Sequence, residues 1–515
     1  MRMKKLLSLI EVTALAGTMA VGCFCGVGAE ELEAESTVDD VVEIDFYNID
    51  MIGGTDFSRI EDAVNENSEE EIGVHVNINA LDFGSYLQQV SLNLSGNENM
   101  DLIAFTPAPP LTFANMTSLN QLLDISDLLG DYGEGITEDL GDYLKGNQIG
   151  DGIYGITSHS EFATNMYIIM RKDILDELGL TEKAENMSSW SEYEEILQAV
   201  YEANQNETLP EELRTNACIS NSENSGRVIP NQTAMCGSDS FADCYGFDGL
   251  GDNYGIISTD PETDTVNEYY KSEDYLECLK RVKSWNEKGY VYKDAALTDL
   301  DGTTLMKNGV TFSFIALGNY GIEDVQKKNS GYEVVAKKVL SIPVGSNVCQ
   351  TWGIGVPVTS DEPEAAVSFI NLMYTNADIM NLFSWGIEGE DYEVNEEGEA
   401  VQIDGAAYTG FPFLWGNASL SYPSEGQGGD FYERAKAEDD NAEMSKYMGF
   451  VPNTESFANE LTAVNTVLTK YKANLESGST PDLEGDYQKF LDELDSAGIN
   501  EVIAGYQEQL NSWLG

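Results

Sequence analysis

The chain has 515 residues and carries 90 Asp and Glu against 27 Lys and Arg, which gives a formal net charge of −63. Nucleic acids and anionic lipid surfaces bind clustered Lys and Arg, and such a cluster occurs only in the first five residues. Both are therefore excluded as partners of the body of the chain. A hydrophobic share of 42% and an aromatic share of 10% are typical of a folded protein. Single cores stop growing at roughly 250–300 residues, so this length predicts at least two lobes.

The first 22 residues have the pattern of an export signal. Three basic residues precede an apolar stretch over 6–21 that is shorter than a membrane span requires. The stretch ends in Ala20-Val21-Gly22-Cys23, which resembles a bacterial lipobox, the motif in which the Cys is acylated and becomes the first mature residue. Residues 1–22 are therefore predicted to be a signal peptide and Cys23 a lipidation (palmitate) site. The alternative is cleavage after Ala29, which would release a soluble protein.

Residues 23–40 are predicted to be a lipid-anchored acidic tether, because they are small and acidic and show no apolar periodicity. Removal of the signal peptide takes away three basic residues and Glu11, so 24 basic and 89 acidic residues leave a mature charge of −65. No later stretch approaches the roughly 18 apolar residues of a membrane span. The folded body is therefore expected on the outer face of the cell membrane, with the lipid as its only anchor.

The five cysteines of the body do not predict a metal site. No C-x-x-C pair occurs, and His75 and His159 are the only histidines, so neither a metal nor another cofactor is expected. An odd number of cysteines cannot all pair internally. A disulfide such as Cys236–Cys244 and a set of buried or free thiols are both left open. The cysteines are Cys218, Cys236, Cys244, Cys278 and Cys349.

From Val41 onward the sequence alternates strand and helix. Strands separated by helices predict parallel pairing with right-handed crossovers, and ligands bind beyond the carboxyl ends of such strands. Those ends fall at 48–55 and 106–110. The predicted elements of this block are strands at 41–48, 74–81 and 101–105 and helices at 57–67 and 86–94.

A second α/β block follows the Gly-punctuated segment 150–156, which is suited to a crossing between lobes. Two such blocks with several Gly/Pro-marked crossings predict two lobes around a cleft, joined by a hinge. The predicted elements are strands at 166–170, 310–317, 332–339 and 352–357 and helices at 171–179, 190–201 and 273–288.

The chain after residue 362 is predicted to be mostly helical, at 365–374, 379–385, 456–475 and 487–514. In the third of these helices, apolar side chains recur at steps of three and four, which predicts a stripe that packs inward. The stripe consists of Phe457, Leu461, Val464, Leu468, Tyr471 and Leu475.

Several of these segments resemble the sugar-type (family 1) extracellular solute-binding lipoproteins of bacterial ABC importers. The tail resembles the LipO-like branch of that family, with its characteristic C-terminal domain. The resemblance covers essentially the whole mature chain, and its motifs are more specific in the tail than in the front half. They lie at 152–156, 171–175 and 190–196 in the front half and at 362–366, 371–376, 386–392, 415–417, 497–500 and 506–510 in the tail.

The resemblance implies an α/β, two-lobe periplasmic-binding-protein-like fold with hinge crossings and a helical C-terminal tail. It implies an N-terminal lobe of 41–157 plus about 305–351 and a C-terminal lobe of 158–304 plus about 352–515. It also implies a non-enzymatic, monomeric receptor that closes over a small solute and presents it to ABC permease subunits.

A sugar presents a hydroxylated rim and a flat C–H face, so its site needs polar side chains and aromatic platforms. Trp352 and Trp415 fit a cleft and a core position about equally, whereas Trp385, at a helix end, fits core packing better. The ligand-binding residues that the resemblance implies by position are Tyr47, Asp50, Thr106, Pro107, Glu161, Thr164, Asn165, Asn319, Tyr320, Trp352, Trp385, Trp415 and Asn417.

An oligosaccharide is the favoured ligand, and a peptide is the alternative within the same transport class. A surface carbohydrate-binding adhesin or glycosidase is the alternative from a different class. Among 90 acidic residues, carboxylate pairs at the roughly 5–10 Å spacing of a glycosidase arise by chance. No G-x-S-x-G nucleophile motif occurs either, so no catalytic residues are predicted.

Overall fold

The computed structural model describes residues 41–222, 228–229 and 234–515. The predicted signal peptide 1–22 and tether 23–40, with the alternative processing sites at Cys23 and Ala29, lie outside the described residues. None of the helices in the described part of the chain combines the length and the apolar content that a membrane span needs.

Strands and helices alternate through the first two thirds of the body. The strands are β1 (Val42–Asp50), β2 (Val74–Asp82), β3 (Leu102–Phe105), β4 (Gln148–Ile149), β5 (Gly152–Ile153), β6 (Ile156–Thr157), β7 (Thr164–Arg171), β8 (Ala217–Ile219), β9 (Ala234–Met235), β10 (Tyr245–Gly246), β11 (Ile257–Asp260), β12 (Thr265–Glu268), β13 (Thr311–Gly318), β14 (Val334–Ile342), β15 (Gly353–Gly355), β16 (Tyr392–Val394) and β17 (Ala400–Gln402).

Helices dominate the chain after β15. The α-helices are α1 (Ser58–Ile72), α2 (Phe83–Gly96), α3 (Phe113–Ser118), α4 (Ser126–Tyr132), α5 (Glu134–Leu140), α6 (Lys172–Leu178), α7 (Thr181–Asn186), α8 (Trp190–Gln205), α9 (Glu273–Glu287), α10 (Gly302–Lys307), α11 (Ile322–Ser330), α12 (Ser346–Cys349), α13 (Pro363–Thr375), α14 (Ala377–Trp385), α15 (Phe431–Asp439), α16 (Ala458–Leu475), α17 (Leu483–Ala497) and α18 (Ile499–Leu514).

The first sheet has the order β2-β1-β3-β15-β6. Strands β1, β2 and β3 are parallel, as the alternation of strands and helices predicts. Phe46 on β1 pairs with Ile78 on β2 and Leu102 on β3, and all three side chains are buried. Strand β15 is antiparallel to both β3 and β6. This sheet and the helices around it form the first lobe.

The second sheet has the order β14-β7-β13-β8. Strand β7 is antiparallel to both of its neighbours, and β8 is parallel to β13. The run of five apolar residues at 166–170 has no polar face because β7 lies in the interior of this sheet, with both faces covered. This sheet forms the centre of the second lobe.

The predicted division of the chain between the lobes is wrong for strands β13, β14 and β15. Segment 305–351 was assigned to the first lobe, but its strands β13 and β14 both pair with β7 in the second sheet. Segment 352–515 was assigned to the second lobe, but β15 pairs with β3 in the first sheet. The eight buried or half-buried residues of β13 fit an interior strand, and β7 and β8 supply its two partners.

Each sheet has its own core. The core of the first lobe combines side chains from 44–162 with others from 344–415, and Met448 adds to it. The core of the second lobe combines side chains from 166–340 with the end of the chain from Tyr447 to Leu510.

The tail helices α16, α17 and α18 pack onto the core of the second lobe. The apolar stripe predicted on α16 is confirmed, with Tyr471 only partly buried. The single helix predicted over 487–514 is wrong, because α17 and α18 are separate helices that meet at Gly498. That glycine has φ +93°, a conformation that ends α17 and that other residues rarely adopt. The buried residues of the stripe are Phe457, Leu461, Val464, Leu468 and Leu475.

Candidate functional site

A row of half-buried aromatic rings lines the carboxyl edge of the first sheet. Phe83 directly follows β2, and Trp352 directly precedes β15. Because β15 is antiparallel to β3, with Gly353 opposite Phe105, the start of β15 lies at the edge where β3 ends. The ring centroid of Trp352 is 6.0 Å from that of Phe83 and 5.9 Å from that of Phe413. We call Phe83, Trp352 and Phe413 the aromatic wall.

The local sequence holds the aromatic wall in place. Asp82 caps α2, and its carboxylate accepts a hydrogen bond from the Ser85 amide, which fixes the turn that carries Phe83. The Ser158 amide donates to the Trp352 carbonyl at 2.9 Å, so the wall adjoins the segment that crosses from β6 to β7. Rings that are partly exposed beside a crossing between lobes provide flat surfaces for the C–H face of a sugar.

The loops after β1 and β3 flank this edge, and each is closed by its own polar side chain. The Asp50 carboxylate accepts hydrogen bonds from the amides of Ile52, Gly53 and Thr55 and from the Thr55 hydroxyl, at 2.9–3.2 Å. Burial alone would raise the pKa of Asp50, but these hydrogen bonds outweigh burial and lower it. The hydroxyl of the fully buried Thr106 likewise accepts from the amide two residues later, at 3.2 Å. Asp50 and Thr106 therefore shape the loops, and Pro107 is exposed on the second one.

A pocket of 330 Å³ lies at the end of β13, on the second lobe. Three residues predicted from the sequence line it together: Glu161 from the crossing segment, and Asn319 and Tyr320 from the loop after β13. The Asn319 side-chain amide donates to the Glu161 carbonyl at 2.8 Å and so ties this loop to the crossing. Gln427 and Phe431 add an amide and an aromatic ring to the lining.

Arg434 holds Tyr320 at the rim of this pocket. The Arg434 Nη1 donates to the Tyr320 hydroxyl at 2.6 Å, and the guanidinium lies 5.3 Å from the centroid of the tyrosine ring. The ring of Phe431 lies 5.7 Å from that of Tyr320. The pocket therefore combines planar hydrogen-bonding groups with two neighbouring aromatic rings, which suits a polyhydroxylated ligand.

The crossing segment contains a charged pair of its own. His159 Nδ1 lies 2.6 Å from an Asp139 oxygen, and Nε2 lies 3.7 Å from an Asp439 oxygen. The imidazole stacks on Phe162 with ring centroids 4.5 Å apart. Burial alone would lower the pKa of His159, but the hydrogen bonds and charges of Asp139 and Asp439 outweigh burial and raise it to about 9.

Asp439 anchors the start of the second lobe as well. Its Oδ1 accepts hydrogen bonds from the amides of Phe162 and Ala163, at 2.9 and 2.6 Å. Nearby, burial raises the pKa of Glu161 to about 7, and the negative charge of Asp439 adds to the effect. The segment between β6 and β7 is thus a hydrogen-bonded and partly charged connection.

Residues 53–380 match the family described as bacterial extracellular solute-binding protein, and residues 446–515 match a domain of unknown function, DUF3502. The chain belongs to the bacterial extracellular solute-binding proteins. The sequence-based assignment to that family is confirmed. Family membership also means an exported binding protein.

A carbohydrate ABC transporter substrate-binding protein of Streptococcus pneumoniae is 24% identical to this solute-binding protein over 459 residues, 87% of this chain and 86% of the relative. Among solved structures, the N-glycan transport solute binding protein NgtS of Streptococcus pneumoniae matches with a TM-score of 0.73 at 20% identity, over 92% of this chain and 99% of that chain. An HMO-binding, ABC-transporter-associated solute binding protein of Bifidobacterium longum infantis matches with a TM-score of 0.64 at 13% identity, over 92% and 99%. The predicted two-lobe α/β fold is confirmed.

Four of the predicted ligand-binding residues of this solute-binding protein are engaged in its framework. The half-buried Tyr47 packs against the core of the first lobe. Trp415 is 2% exposed and packs edge-on against Phe46 with centroids 5.0 Å apart. The Trp385 indole, 8% exposed, donates to the Tyr422 carbonyl at 2.9 Å. The remaining one, Asn417, donates to Asp139 and accepts from Ser419. These four residues therefore lie outside the aromatic wall and the second-lobe pocket, and their role in ligand binding stays a prediction.

Two further predicted residues lie at the start of β7. Asn165 is fully buried, accepts a hydrogen bond from the Ser341 hydroxyl at 2.8 Å and donates to the Tyr167 hydroxyl at 3.1 Å. The bond to Ser341 holds β14 against β7. Thr164 and Asn165 both line a separate small pocket of 120 Å³ between this edge and α15.

Sequence reasoning missed Phe83, Phe413, Gln427 and Phe431. Phe83 follows a parallel strand at its carboxyl end, so the rule that selected Asp50 would have selected it as well. Phe413 stands two residues before Trp415, which was itself a predicted ligand-binding residue. Gln427 and Phe431 carry no local signal, because only the packing of α15 brings them to the pocket.

Within the described ranges, no three His, Cys, Asp or Glu side chains come together to hold a metal ion.

Proposed function

We propose that this protein is the substrate-binding receptor of an ABC importer, which captures an oligosaccharide between its two lobes and delivers it to the permease subunits. The observation that carries the proposal is the aromatic wall, since neighbouring half-exposed aromatic rings mark a ligand-binding surface. The relatives support it: one is named a carbohydrate ABC transporter protein, and NgtS is described in complexes with Man1GlcNAc and Man5GlcNAc.

The two parts of the site suit the two kinds of sugar surface. The rings of Phe83, Trp352 and Phe413 offer stacking surfaces to C–H faces. Glu161 and Asn319 offer acceptors and donors to the hydroxyl rim. Because the wall belongs to the first lobe and the pocket to the second lobe and the crossing, a ligand that contacts both favours the closed arrangement of the lobes.

The length of the aromatic wall favours an oligosaccharide over a single sugar. Neighbouring centroids are 6.0 and 5.9 Å apart, so the wall offers more than one ring on which a sugar can stack. The ligand is proposed to be neutral, because the carboxylates of Asp50 and Glu161 and the net charge of −63 disfavour an anion.

Calorimetry tests this proposal directly. The protein is titrated with neutral oligosaccharides, including mannose- and GlcNAc-containing glycans, and with peptides of similar size. We expect micromolar or tighter binding of at least one oligosaccharide, no chemical change in the recovered ligand, and the mass of a single chain by light scattering. Binding of peptides alone, or hydrolysis of the sugar, would contradict the proposal.

We also propose that Cys23 is acylated and holds the receptor on the outer face of the membrane. The support is the lipobox-like run Ala20-Val21-Gly22-Cys23 and the extracellular family. Cys23→Ser should move the protein from the membrane fraction to the medium. Recovery of the unsubstituted protein in the medium, beginning after Ala29, would establish the alternative cleavage instead.

A further inference from the structure

Three of the five cysteines of the body meet in the second lobe. Cys236 directly follows β9, Cys244 directly precedes β10, and Cys278 lies on α9. All three side chains are buried in the same core. The other two cysteines also lie buried, Cys218 on β8 and Cys349 on α12.

The strand register places two of these cysteines face to face. In the antiparallel pair of β9 and β10, Ala234 is opposite Gly246 and Met235 is opposite Tyr245. One further step along the same register sets Cys236 opposite Cys244. Directly opposite residues of an antiparallel pair have Cα atoms about 4.5–5.5 Å apart, which lies within the roughly 4.4–6.8 Å that a disulfide spans. Both are free thiols in this structure, and each is close enough to shift the pKa of the other.

We propose that Cys236 and Cys244 form a disulfide in the exported protein. One thiolate attacks a sulfur of an external disulfide, such as oxidised glutathione or an oxidised thiol–disulfide exchange protein, which forms a mixed disulfide and releases one external thiolate. The second thiolate then attacks the protein sulfur of the mixed disulfide and releases the other external thiolate. The two cysteines lose two protons and two electrons, and the external disulfide is reduced to two thiols. Export out of the cytosol removes the protein from the reducing glutathione and thioredoxin pools.

Arg281 pre-organises the hairpin for this reaction. Its guanidinium donates to the carbonyls of Cys236, Gly237 and Ser238 at 2.8, 2.8 and 2.9 Å, so the backbone beyond β9 is held in position. A positive charge near a thiol favours the thiolate, which is the reactive form. Cys278 lies on a helix, with its sulfur 3.9 Å from the same guanidinium, and has no opposite residue in a strand pair.

The disulfide would close a ring that contains the loop 237–243, and this loop binds the first residues of α8. Asp239 in this loop accepts hydrogen bonds from the amide of Trp190 through its carbonyl, at 2.9 Å, and from the amide of Ser191 through its carboxylate, at 2.8 Å. A covalent link across the base of the loop restricts its freedom in the unfolded chain. The disulfide is therefore expected to stabilise the second lobe.

Peptide mapping tests the proposal without any variant. The full-length protein, recovered from exporting cells, is denatured without reductant, alkylated and digested with trypsin. The peptide 228–271 contains both cysteines and no others. We expect this peptide to be unalkylated and two hydrogen atoms lighter than the same peptide with free thiols. After further cleavage before Asp239 and Asp243, we expect the outer fragments 228–238 and 243–271 to remain joined. Full alkylation of both cysteines, in recovered protein and again after equilibration with oxidised glutathione, would overturn the proposal.

Matched variants separate the disulfide from simple packing. Cys278→Ser should leave the linked peptide intact and keep a melting temperature that falls when reductant is added. Cys244→Ser should remove the linked peptide and make the melting temperature insensitive to reductant. If reductant has the same effect on Cys244→Ser as on the unsubstituted protein, the stabilising role assigned to this disulfide is wrong.

Discussion

Two tryptophans with similar sequence surroundings have different environments in the folded protein. Trp352 and Trp415 both stand in loops rich in Gly and Pro. Trp352 is half-buried between Phe83 and Phe413, whereas Trp415 is 2% exposed in the core of the first lobe. Burial therefore assigns Trp352 to the candidate site and Trp415 to stability.

We predict that Trp352→Ala weakens oligosaccharide binding by about 1–3 kcal/mol, because a stacked ring loses both apolar contact area and its aromatic interaction. Calorimetry measures the change in Kd. The control is Trp513→Ala, since Trp513 is 42% exposed on α18 and lies in the tail. Equal affinities of the two variants would show that Trp352 does not contact the ligand.

The ionisation of Glu161, which lines the second-lobe pocket, makes the stability of the folded protein depend on pH. The pKa of Glu161 is raised from 4.5 to about 7 by burial and by the charge of Asp439, so the folded protein binds a proton more tightly than the unfolded chain does. This contribution to stability is fully present below pH 4.5 and is lost as the pH rises through 7. We predict that Glu161→Gln removes this decline, as urea denaturation between pH 4.5 and 8 would show. Glu134→Gln, at an exposed position, serves as the control, and an identical decline in both variants would contradict the assignment.

At the scale of secondary structure elements, strand β15 depends on a glycine. An added Cβ at Gly353 would lie 2.2 Å from a ring carbon of Phe105 and 2.3 Å from the carbonyl oxygen of Ile156. Only a residue without a side chain allows this short strand to fit between β3 and β6. Trp352 directly precedes this strand, so the fit of β15 also sets the position of the aromatic wall.

We predict that Gly353→Ala lowers the free energy of unfolding by about 1–3 kcal/mol, as an overpacked core position does, and also weakens ligand binding. Denaturant unfolding and calorimetry measure the two effects. Gly130→Ala is the control, because nothing lies within 4 Å of an added Cβ there, on the exposed side of α4. A Gly353→Ala protein with unchanged stability and affinity would show that the strand adapts without cost.

At the scale of the whole molecule, the charged crossing connects parts from both lobes. His159 lies between Asp139 on α5 of the first lobe and Asp439 on α15. Asp439 also accepts hydrogen bonds from the amides of Phe162 and Ala163, which directly precede β7. Charges buried in this way are costly unless they are paired, so the protonation of His159 matters for stability.

We predict that the stability contributed by His159 is fully present below pH 6.5 and is lost as the pH rises to about 9. The sign follows because the folded-state pKa lies above the ordinary value of 6.5. His159→Gln should therefore have a flatter dependence of melting temperature on pH between 6.5 and 9. His75→Gln, the other histidine, should keep the dependence of the unsubstituted protein. A steep decline retained by His159→Gln would contradict this assignment.

The sequence by itself determined the elements, the two-lobe class and the family of this protein. Strand and helix periodicities are local, so β1 to β3, β7 and the α16 stripe could be predicted from them. The motifs between 152 and 510 were enough to identify the family. The charge of −63 excluded nucleic acids and anionic surfaces before any fold was known.

Only the tertiary structure decided which strand pairs with which and which aromatic rings keep an exposed face. Strands β13 and β14 pair with β7, and β15 pairs with β3, so these pairings join segments far apart in the chain. The local sequence of a strand does not show which other strand it pairs with. The same holds for burial, because the exposure of Trp352 or Trp415 depends on what the rest of the fold packs against it. The elements could therefore be read from neighbouring residues, whereas the lobes and the site follow from long-range packing.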